Sequence, residues 1–277
     1  MSDSVKVGYQ GEPGAHSEKA ARMLFPNATL QPFRSFHKVF EATEIGATDY
    51  GVVPLENSHA GSINDTYDLL VRHGVQIIAE TIVRIHHCLL APRSVEITDV
   101  QYVYSHPQAL EQCEEFLDSL RAERIAVYDT AGAARLIAEE DKPGSAALAS
   151  AEAAELYDLH ILERNIEDRA DNSTKFVAIS RSATDLVGSP EKTSIVFATA
   201  NIPGALYACL QEFSDRKLNL TKLESRPSGA KAWQYRFYLD FDAPTKDPVA
   251  QDLLSALASQ TSFLRVLGSY PKAKPEE

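Results

Sequence analysis

"GVVPLENSHAGSINDTYDLL", residues 51–70, decides how the chain is read. The apolar run from Tyr50 to Leu55 has the length and β-branched content of a buried strand. It stops at Glu56-Asn57-Ser58, passes Gly61-Ser62, and becomes an amphipathic stretch from Ile63 to Arg72. Strand, polar loop and helix in that order are βαβ material, so a mostly parallel sheet is expected. The loop also gathers a carboxylate, an amide and the hydroxyls of Ser58, Ser62 and Thr66 at a strand end. Open α/β sheets hold their ligands there. Taken singly, Asn57 and Ser58 suit the plainer task of capping the next helix.

The same rhythm extends on both sides. Strands are predicted over 5–9 and 30–33, and helices over 17–25, with Ser17 as N-cap, and 35–45. Residues 77–90 form a long β-branched stretch with no helix inside it, suited to crossing between lobes. A second alternating set follows. Its strands are 100–104, 125–128 and 146–149, and its helices 108–120, 131–139 and 151–157. A late strand at 176–180 can return to the first lobe. Two α/β lobes joined by two crossovers imply a cleft between them, where ligands usually sit. Residues 181–193 read as a polar linker. The remainder reads strand 194–200, helix 204–217, strands 220–225 and 233–241, helix 249–260 and strand 263–270. That is βαββαβ, a split βαβ unit that often leaves a sheet edge for a partner chain. The tail KAKPEE reads as frayed.

Bulk properties narrow the function. The 277 residues carry a formal net charge of −12, which argues against nonspecific nucleic-acid or anionic-membrane binding. An anionic ligand therefore needs local positive charge. The start, MSDSVKVGYQ, has no apolar signal core, and no stretch is long and apolar enough for a bilayer. Cys88, Cys113 and Cys209 are few and scattered, which fits reduced thiols in a cytoplasm.

Four loops are predicted at strand ends. In GYQGEPGAHS, residues 8–17, the glycines lack dinucleotide spacing. It reads as a plain turn whose backbone N–H groups are able to cradle a carboxylate. The second is the 56–66 loop. In YSHPQALEQC, residues 104–113, Pro107 starts a helix, and Gln108 and Gln112 share one face of it. His106 invites a general-base role but reads better as a neutral, hydrogen-bonded residue near the helix start. In DNSTKF, residues 171–176, cleft-facing and core-facing side chains should alternate. There is no C-x-x-C, H-E-x-x-H, G-x-S-x-G or P-loop, and His86-His87-Cys88 alternates across a strand. Neither a metal nor a nucleotide cofactor is implied. In the C-terminal unit, NIPGALYACLQEF (201–213) and LESRPSG (223–229) stand out, although packing and turn chemistry account for both.

PLENSHAGSINDTYDLL, SHPQALEQC, DNSTKF, NIPGAL and LESRP occur in this order from about residue 5 to residue 270, and together they closely resemble prephenate dehydratase with a C-terminal ACT regulatory domain. The resemblance implies an α/β catalytic domain over 1–182, two-lobed and similar to type II periplasmic binding proteins. Lobe one covers about 1–76 plus 171–182, and lobe two about 77–170. A ferredoxin-like ACT domain is implied over 193–271. The implied activity is that of a carbon–oxygen lyase without a cofactor, converting prephenate to phenylpyruvate, water and carbon dioxide in phenylalanine biosynthesis. The chain begins directly at the dehydratase strand and so looks monofunctional.

By position the resemblance makes Thr174 the catalytic hydroxyl. It places Asn57, Ser105 and Gln112 on substrate, with Glu56 and Ser58 in the same loop and Lys175 and Phe176 in the same motif. Lys175 stands where the family has arginine, which keeps the charge and loses the planar fork. Asn201, Gly204, Ala205, Leu206, Glu224, Ser225, Arg226 and Pro227 fall on the effector motifs. L-Phenylalanine is the implied effector, and a homodimer or homotetramer the implied assembly. Two other readings stay open: arogenate dehydratase, and a non-catalytic small-molecule sensor with the same two parts.

Overall fold

The structure, a computed structural model, describes residues 5–140, 142–183, 188–228 and 234–273. Its first elements are β1 (Lys6–Gln10), α1 (His16–Leu24), β2 (Thr29–Phe33), α2 (Phe36–Ile45), β3 (Tyr50–Asn57), β4 (Gly61–Ser62), α3 (Asn64–Arg72) and β5 (Gln76–Arg84). Then come β6 (Cys88–Ala91), β7 (Tyr102–Ser105), α4 (Pro107–Glu111), α5 (Glu114–Leu120), β8 (Glu123–Ala126), α6 (Thr130–Glu140), β9 (Ser145–Ala149), α7 (Ala151–Leu156) and β10 (His160–Glu163). The chain returns through β11 (Ser173–Ser180). It ends with β12 (Lys192–Ala198), α8 (Ala205–Asp215), β13 (Leu220–Pro227), β14 (Tyr235–Phe241), α9 (Pro248–Gln260) and β15 (Phe263–Tyr270).

Helical crossovers make β1, β2 and β3 parallel, and the returning β11 lies antiparallel between β3 and β5. A separate sheet, ordered β10-β6-β9-β7-β8, forms the second lobe. The stretch predicted as one strand over 77–90 is two strands. Ile85, His86 and His87 leave the first sheet and carry the chain to the second, and the His87 N–H bonds the Glu167 carboxylate (3.0 Å) instead of a neighbouring strand.

Three local expectations change. The helix predicted over 108–120 is two helices, because Asp168 accepts from the Glu114 and Glu115 N–H groups (2.9 and 3.2 Å) and starts a new one. Ser17 does not cap α1; that position is Ala15, and Ser17 is buried inside the first turn. β10 was not foreseen: among the described residues its four residues pair with β6 alone.

The C-terminal strands run β13-β14-β12-β15, all antiparallel, with Phe213, Leu239, Phe241 and Leu253 in the core beneath α8 and α9. Trp233, predicted to open β14, and Gly229 lie outside the described residues, as do 184–187 of the predicted linker and the last four residues of the tail. The opposite face of this sheet, through Val196, Tyr238, Leu267 and Tyr270, shares a core with Phe40 and Tyr67 of lobe one. β15 also pairs with β5, where Gly268 lies opposite Ile77. A Cβ on Gly268 would sit 2.1 Å from the Ile77 carbonyl oxygen, so only glycine allows this approach. The other face of the first sheet, through Val7 and Val52, packs against Ala20 and Ala21 of α1.

Candidate active site

A cavity of about 720 Å³ lies between the lobes. Lobe one contributes Gln10, His16, Asn57, Thr174 and Phe176, and lobe two His106, Gln108, Gln112, Tyr128 and Asp129. The loop over 8–17 does more than turn the chain. It ties the lobes together, because the Ser150 hydroxyl donates to Gly14 O (2.8 Å) and the Tyr157 hydroxyl to Pro13 O (2.9 Å). Gly14 has φ +89° and lies against the Ala153 backbone, which again requires glycine.

A chain of amides crosses the cleft floor. Asn57 Oδ1 accepts from the backbone N–H groups of His59 (3.0 Å) and Ala60 (2.9 Å), which fixes the orientation of its amide. Its Nδ2 then donates to Asn172 Oδ1 (2.8 Å) and Thr174 Oγ1 (3.0 Å), and also lies 3.1 Å from Ser173 O. Asn172 Nδ2 donates to Gln112 Oε1 (2.9 Å). Thr174 is thus an acceptor from Asn57, and its own hydroxyl proton is free to point at a ligand. Asn57 and Thr174 meet because they are register partners on β3 and β11.

Two histidines of the cleft, His16 and His87, are pushed toward the neutral form. Burial pushes His16 down to about 3, with His87 adding to the effect, and burial also lowers His87. Their rings meet edge to face at 5.9 Å. Asp129 is shifted the other way: burial raises its carboxyl, although it accepts from Gly132 N (2.8 Å). His106 Nδ1 accepts from Gln108 N (3.2 Å) and caps α4, in keeping with its reading as a hydrogen-bonded helix-start residue. Arg34 and Arg72 line the same cavity, and neither has an ion-pair partner among the described residues. Among those residues no group of three or more His, Cys, Asp and Glu side chains is placed to hold a metal.

Of the substrate residues expected from sequence, Asn57, Gln112, Thr174 and Phe176 line the cavity. Four others do not. Glu56 and Lys175 are register partners and point to the opposite face of the sheet. There Glu56 pairs with Lys222 (3.0 Å) and Lys175 (3.6 Å). Burial alone would raise the Glu56 carboxyl, but the two lysines outweigh it and hold it below its ordinary value. Ser58 donates from the loop rim to Asp171 O (3.3 Å). Ser105 is fully buried and donates to Leu148 O (2.7 Å), inside the second lobe. Thr66 likewise donates to Pro54 O (2.8 Å) and steadies the β3–α3 junction. Sequence reasoning missed Asn172, His16 and His87 as cleft-floor residues. Asn172 lies within the DNSTKF motif, two residues before Thr174, and period-2 alternation already puts it on the same face.

The family model described as "PDT: Prephenate dehydratase" matches residues 7–184. The chain belongs to the prephenate dehydratase family. Among curated relatives, "Arogenate dehydratase/prephenate dehydratase 2, chloroplastic" of Arabidopsis thaliana is 46% identical, over 96% of this chain and 73% of that one. Among solved structures, the prephenate dehydratase of Arthrobacter aurescens in complex with L-Phe is 30% identical with a TM-score of 0.89, covering 97% of this chain and 90% of that one. A third family-sized neighbour is titled "GqqA- a novel type of quorum quenching acylases". It is 33% identical with a TM-score of 0.87, covering 98% of both chains. The family match ends near residue 184, so the C-terminal unit lies beyond it.

In that unit Gly204 adopts φ +82° just before α8, beside exposed Asn201 and the partly buried Ala205 and Leu206. The residues of β13 alternate. Lys222, Glu224 and Arg226 turn toward lobe one, while Leu223, Ser225 and Pro227 are exposed. Arg226 bonds Asn64 and Asp68 of α3, Glu224 bonds Ser62, and Lys222 also reaches Ser62 (2.9 Å). Arg265 of β15 donates to the carbonyls of Val71 (2.9 Å), His73 (2.7 Å) and Val75 (3.1 Å) at the other end of α3. The C-terminal unit therefore holds both ends of a helix whose Asp65, Leu69 and Arg72 line the cleft.

Proposed function

We propose that this chain is a dehydratase of phenylalanine biosynthesis that removes water and carbon dioxide from prephenate, with Thr174 as the hydroxyl that assists departure of the leaving group. The observation that carries this is the Asn57–Thr174 hydrogen bond. Asn57, locked by two backbone N–H groups, occupies the acceptor side of Thr174 and leaves a polarised O–H free at the cavity wall. Loss of the ring carboxylate as carbon dioxide sends an electron pair into the ring. The C–O bond at the hydroxyl-bearing carbon breaks, the ring becomes aromatic, and the departing hydroxide takes up a proton to become water. The reaction needs no electron sink from the protein. It needs donors aimed where negative charge collects on oxygen, in a site that excludes water. Neutral amides and hydroxyls suit a carboxylate that must leave, since a tight ion pair would stabilise the ground state. Arg34 and Arg72, at the rim, supply the local positive charge that a chain of net charge −12 needs to attract a dianion.

Acyl transfer fits this site less well. A threonine nucleophile needs a base to take its proton. Among the described residues Thr174 Oγ1 bonds an amide donor and no base. Arogenate remains the second substrate, supported by the names of the plant relatives. Lys175 and Glu56 face away from the cleft and play no part in choosing between the two. Phenylalanine control through an ACT-type C-terminal unit is supported by the L-Phe bound to the Arthrobacter relative. Exposed Ile202, Tyr207, Leu223 and Tyr235 on that unit support pairing with a second copy as homodimer or homotetramer. Unpaired, buried Cys88, Cys113 and Cys209 support a reducing compartment such as the cytoplasm.

The test is to supply prephenate and, separately, arogenate to purified protein and follow phenylpyruvate and phenylalanine, with and without added phenylalanine. Turnover of either is expected, and Thr174→Ala should lower kcat by ~100- to 1000-fold, the usual cost of one transition-state donor. Thr174→Ser should keep most of it. Retained kcat in Thr174→Ala would remove Thr174 from the chemistry.

A further inference from the structure

Asn172 and His87 have no assigned role, yet both terminate on Gln112. Three observations fix the direction of every hydrogen bond in this group. Backbone N–H groups hold Asn57 Oδ1, so Asn57 presents its NH₂ to Asn172 Oδ1. Asn172 must then present its own NH₂ to Gln112 Oε1. His87 Nε2 lies 3.1 Å from that same oxygen. An amide oxygen is an acceptor only, so the His87 proton is on Nε2 and its Nδ1 is bare, in agreement with Nδ1 being buried without a partner among the described residues. Gln112 Oε1 is thereby saturated by two donors, and the Gln112 NH₂ is left facing the cleft that Gln112 lines.

We infer that Asn172 and His87 are positioning residues that make Gln112 a hydrogen-bond donor, never an acceptor, toward the substrate. The inference rests on the dehydratase reading above. Its physical sense lies in the substrate's charge. An amide free to rotate would present oxygen or nitrogen to a dianion, and only the nitrogen attracts it. Asn172 is 1% exposed and is held from both lobes, through Asn57 of β3 and Gln112 beside α4. The polarity of a lobe-two donor is thus set by two backbone N–H groups in lobe one, and it is correct only when the lobes are in register.

Asn172→Asp tests this at one atom. The carboxylate still accepts from Asn57, but it accepts where Asn172 donated to Gln112. Gln112 should rotate and turn its oxygen to the cleft. At neutral pH kcat/KM should fall ~30- to 100-fold, with most of the loss in kcat. Below the pKa of the new buried carboxyl, its O–H donates to Gln112 as the amide did. The variant-to-wild-type ratio should therefore rise as the pH is lowered. His16, His59, His87, Glu167, Asp168 and Asp171 surround this group and are common to both proteins, so the ratio isolates the new carboxyl. In a Gln112→Ala background the same change should cost no more than ~2-fold. His87→Gln, which keeps a nitrogen donor near Nε2, should stay within ~5-fold of wild type while His87→Leu falls further; this pair serves if Asn172→Asp does not fold. A multiplicative loss in the Gln112→Ala background, or equal activity of His87→Gln and His87→Leu, overturns the inference while leaving the dehydratase reading intact. A folded wild-type protein that turns over neither prephenate nor arogenate overturns both.

Discussion

Replacing Lys192 by methionine strips the cation from a buried cluster at the seam between the first lobe and the C-terminal unit. Lys192 Nζ lies 3.0 Å from Glu80 of β5 and 3.0 Å from Asp240 of β14, and the three side chains are 5%, 5% and 7% exposed. Burial alone would lower the ammonium's pKa, but Asp240 and Glu80 outweigh it and hold it above its ordinary value. Without the lysine, two carboxylates face one another out of water. Breaking a buried pair in this way costs ~3–5 kcal/mol, against ~0–1 kcal/mol for a surface pair. At ~2.1 cal/mol/K per residue, 277 residues give an unfolding entropy near 0.6 kcal/mol/K, so the melting temperature should drop by ~5–9 °C. The pH dependence has a definite sign. In Lys192→Met the two carboxylates repel one another out of water, and taking up one proton relieves that repulsion. The penalty is therefore larger at neutral pH and fades in acid. Calorimetric melts of variant and wild type at pH 7.5 and 5.5 measure this directly. The triple variant Glu80→Gln/Lys192→Met/Asp240→Asn should recover most of the loss. A drop below ~2 °C at pH 7.5, or one that deepens in acid, would refute the argument.

Gly268→Ala should destabilise by ~2 kcal/mol or more, because its Cβ meets backbone at Ile77 that cannot move aside, whereas Gly61→Ala, with open space around it, should cost less; chemical-denaturation midpoints compare the two. Arg34→Gln and Arg72→Gln should each raise KM several-fold with kcat within ~3-fold, and flatten the salt dependence of kcat/KM; unchanged KM in both would place the substrate's anchoring elsewhere. His16, with its folded pKa near 3 and an unfolded value near 6.5, resists protonation in the native state. Its contribution to stability is therefore present above about pH 6.5 and is lost as pH falls toward 3. His16→Phe should narrow the gap between urea midpoints at pH 7 and 4.5, and an unchanged gap would mean that other groups set it.

Much of the site was legible in the register of β3 and β11. Period-2 alternation puts Thr174 and Phe176 on one face and Lys175 on the other. The pairing Thr174↔Asn57 and Lys175↔Glu56 then sends Glu56 away with Lys175, where Lys222 receives it. The first half of that inference needs only the sequence, and the second needs the strand pairing. Ser105 shows a different limit. A serine at a strand end reads as a cleft residue, but its hydroxyl is taken up by Leu148 O of the neighbouring strand. Position within a motif does not reveal which face of a strand end is already occupied.

Local patterning was enough for the strand–helix alternation, the two-lobed plan and the βαββαβ unit, though not for β10 or the breaks after Arg84 and Glu111, because hydrophobic periodicity and turn residues act over a few positions. The sequence by itself also determined the chemistry available to the cleft: amides and hydroxyls, without a metal-binding or nucleotide-binding spacing. The tertiary structure alone decided how those groups are aimed. Asn57 meets Asn172 across 115 residues, and Gln112 meets Asn172 across 60. It also placed the cation at the seam with the C-terminal unit between carboxylates drawn from β5 and β14. Hydrogen-bond polarity and the pairing of buried charge depend on which atoms are brought within about 3 Å of one another. Long-range strand pairing and lobe packing set those distances, and no local pattern of residue types records them.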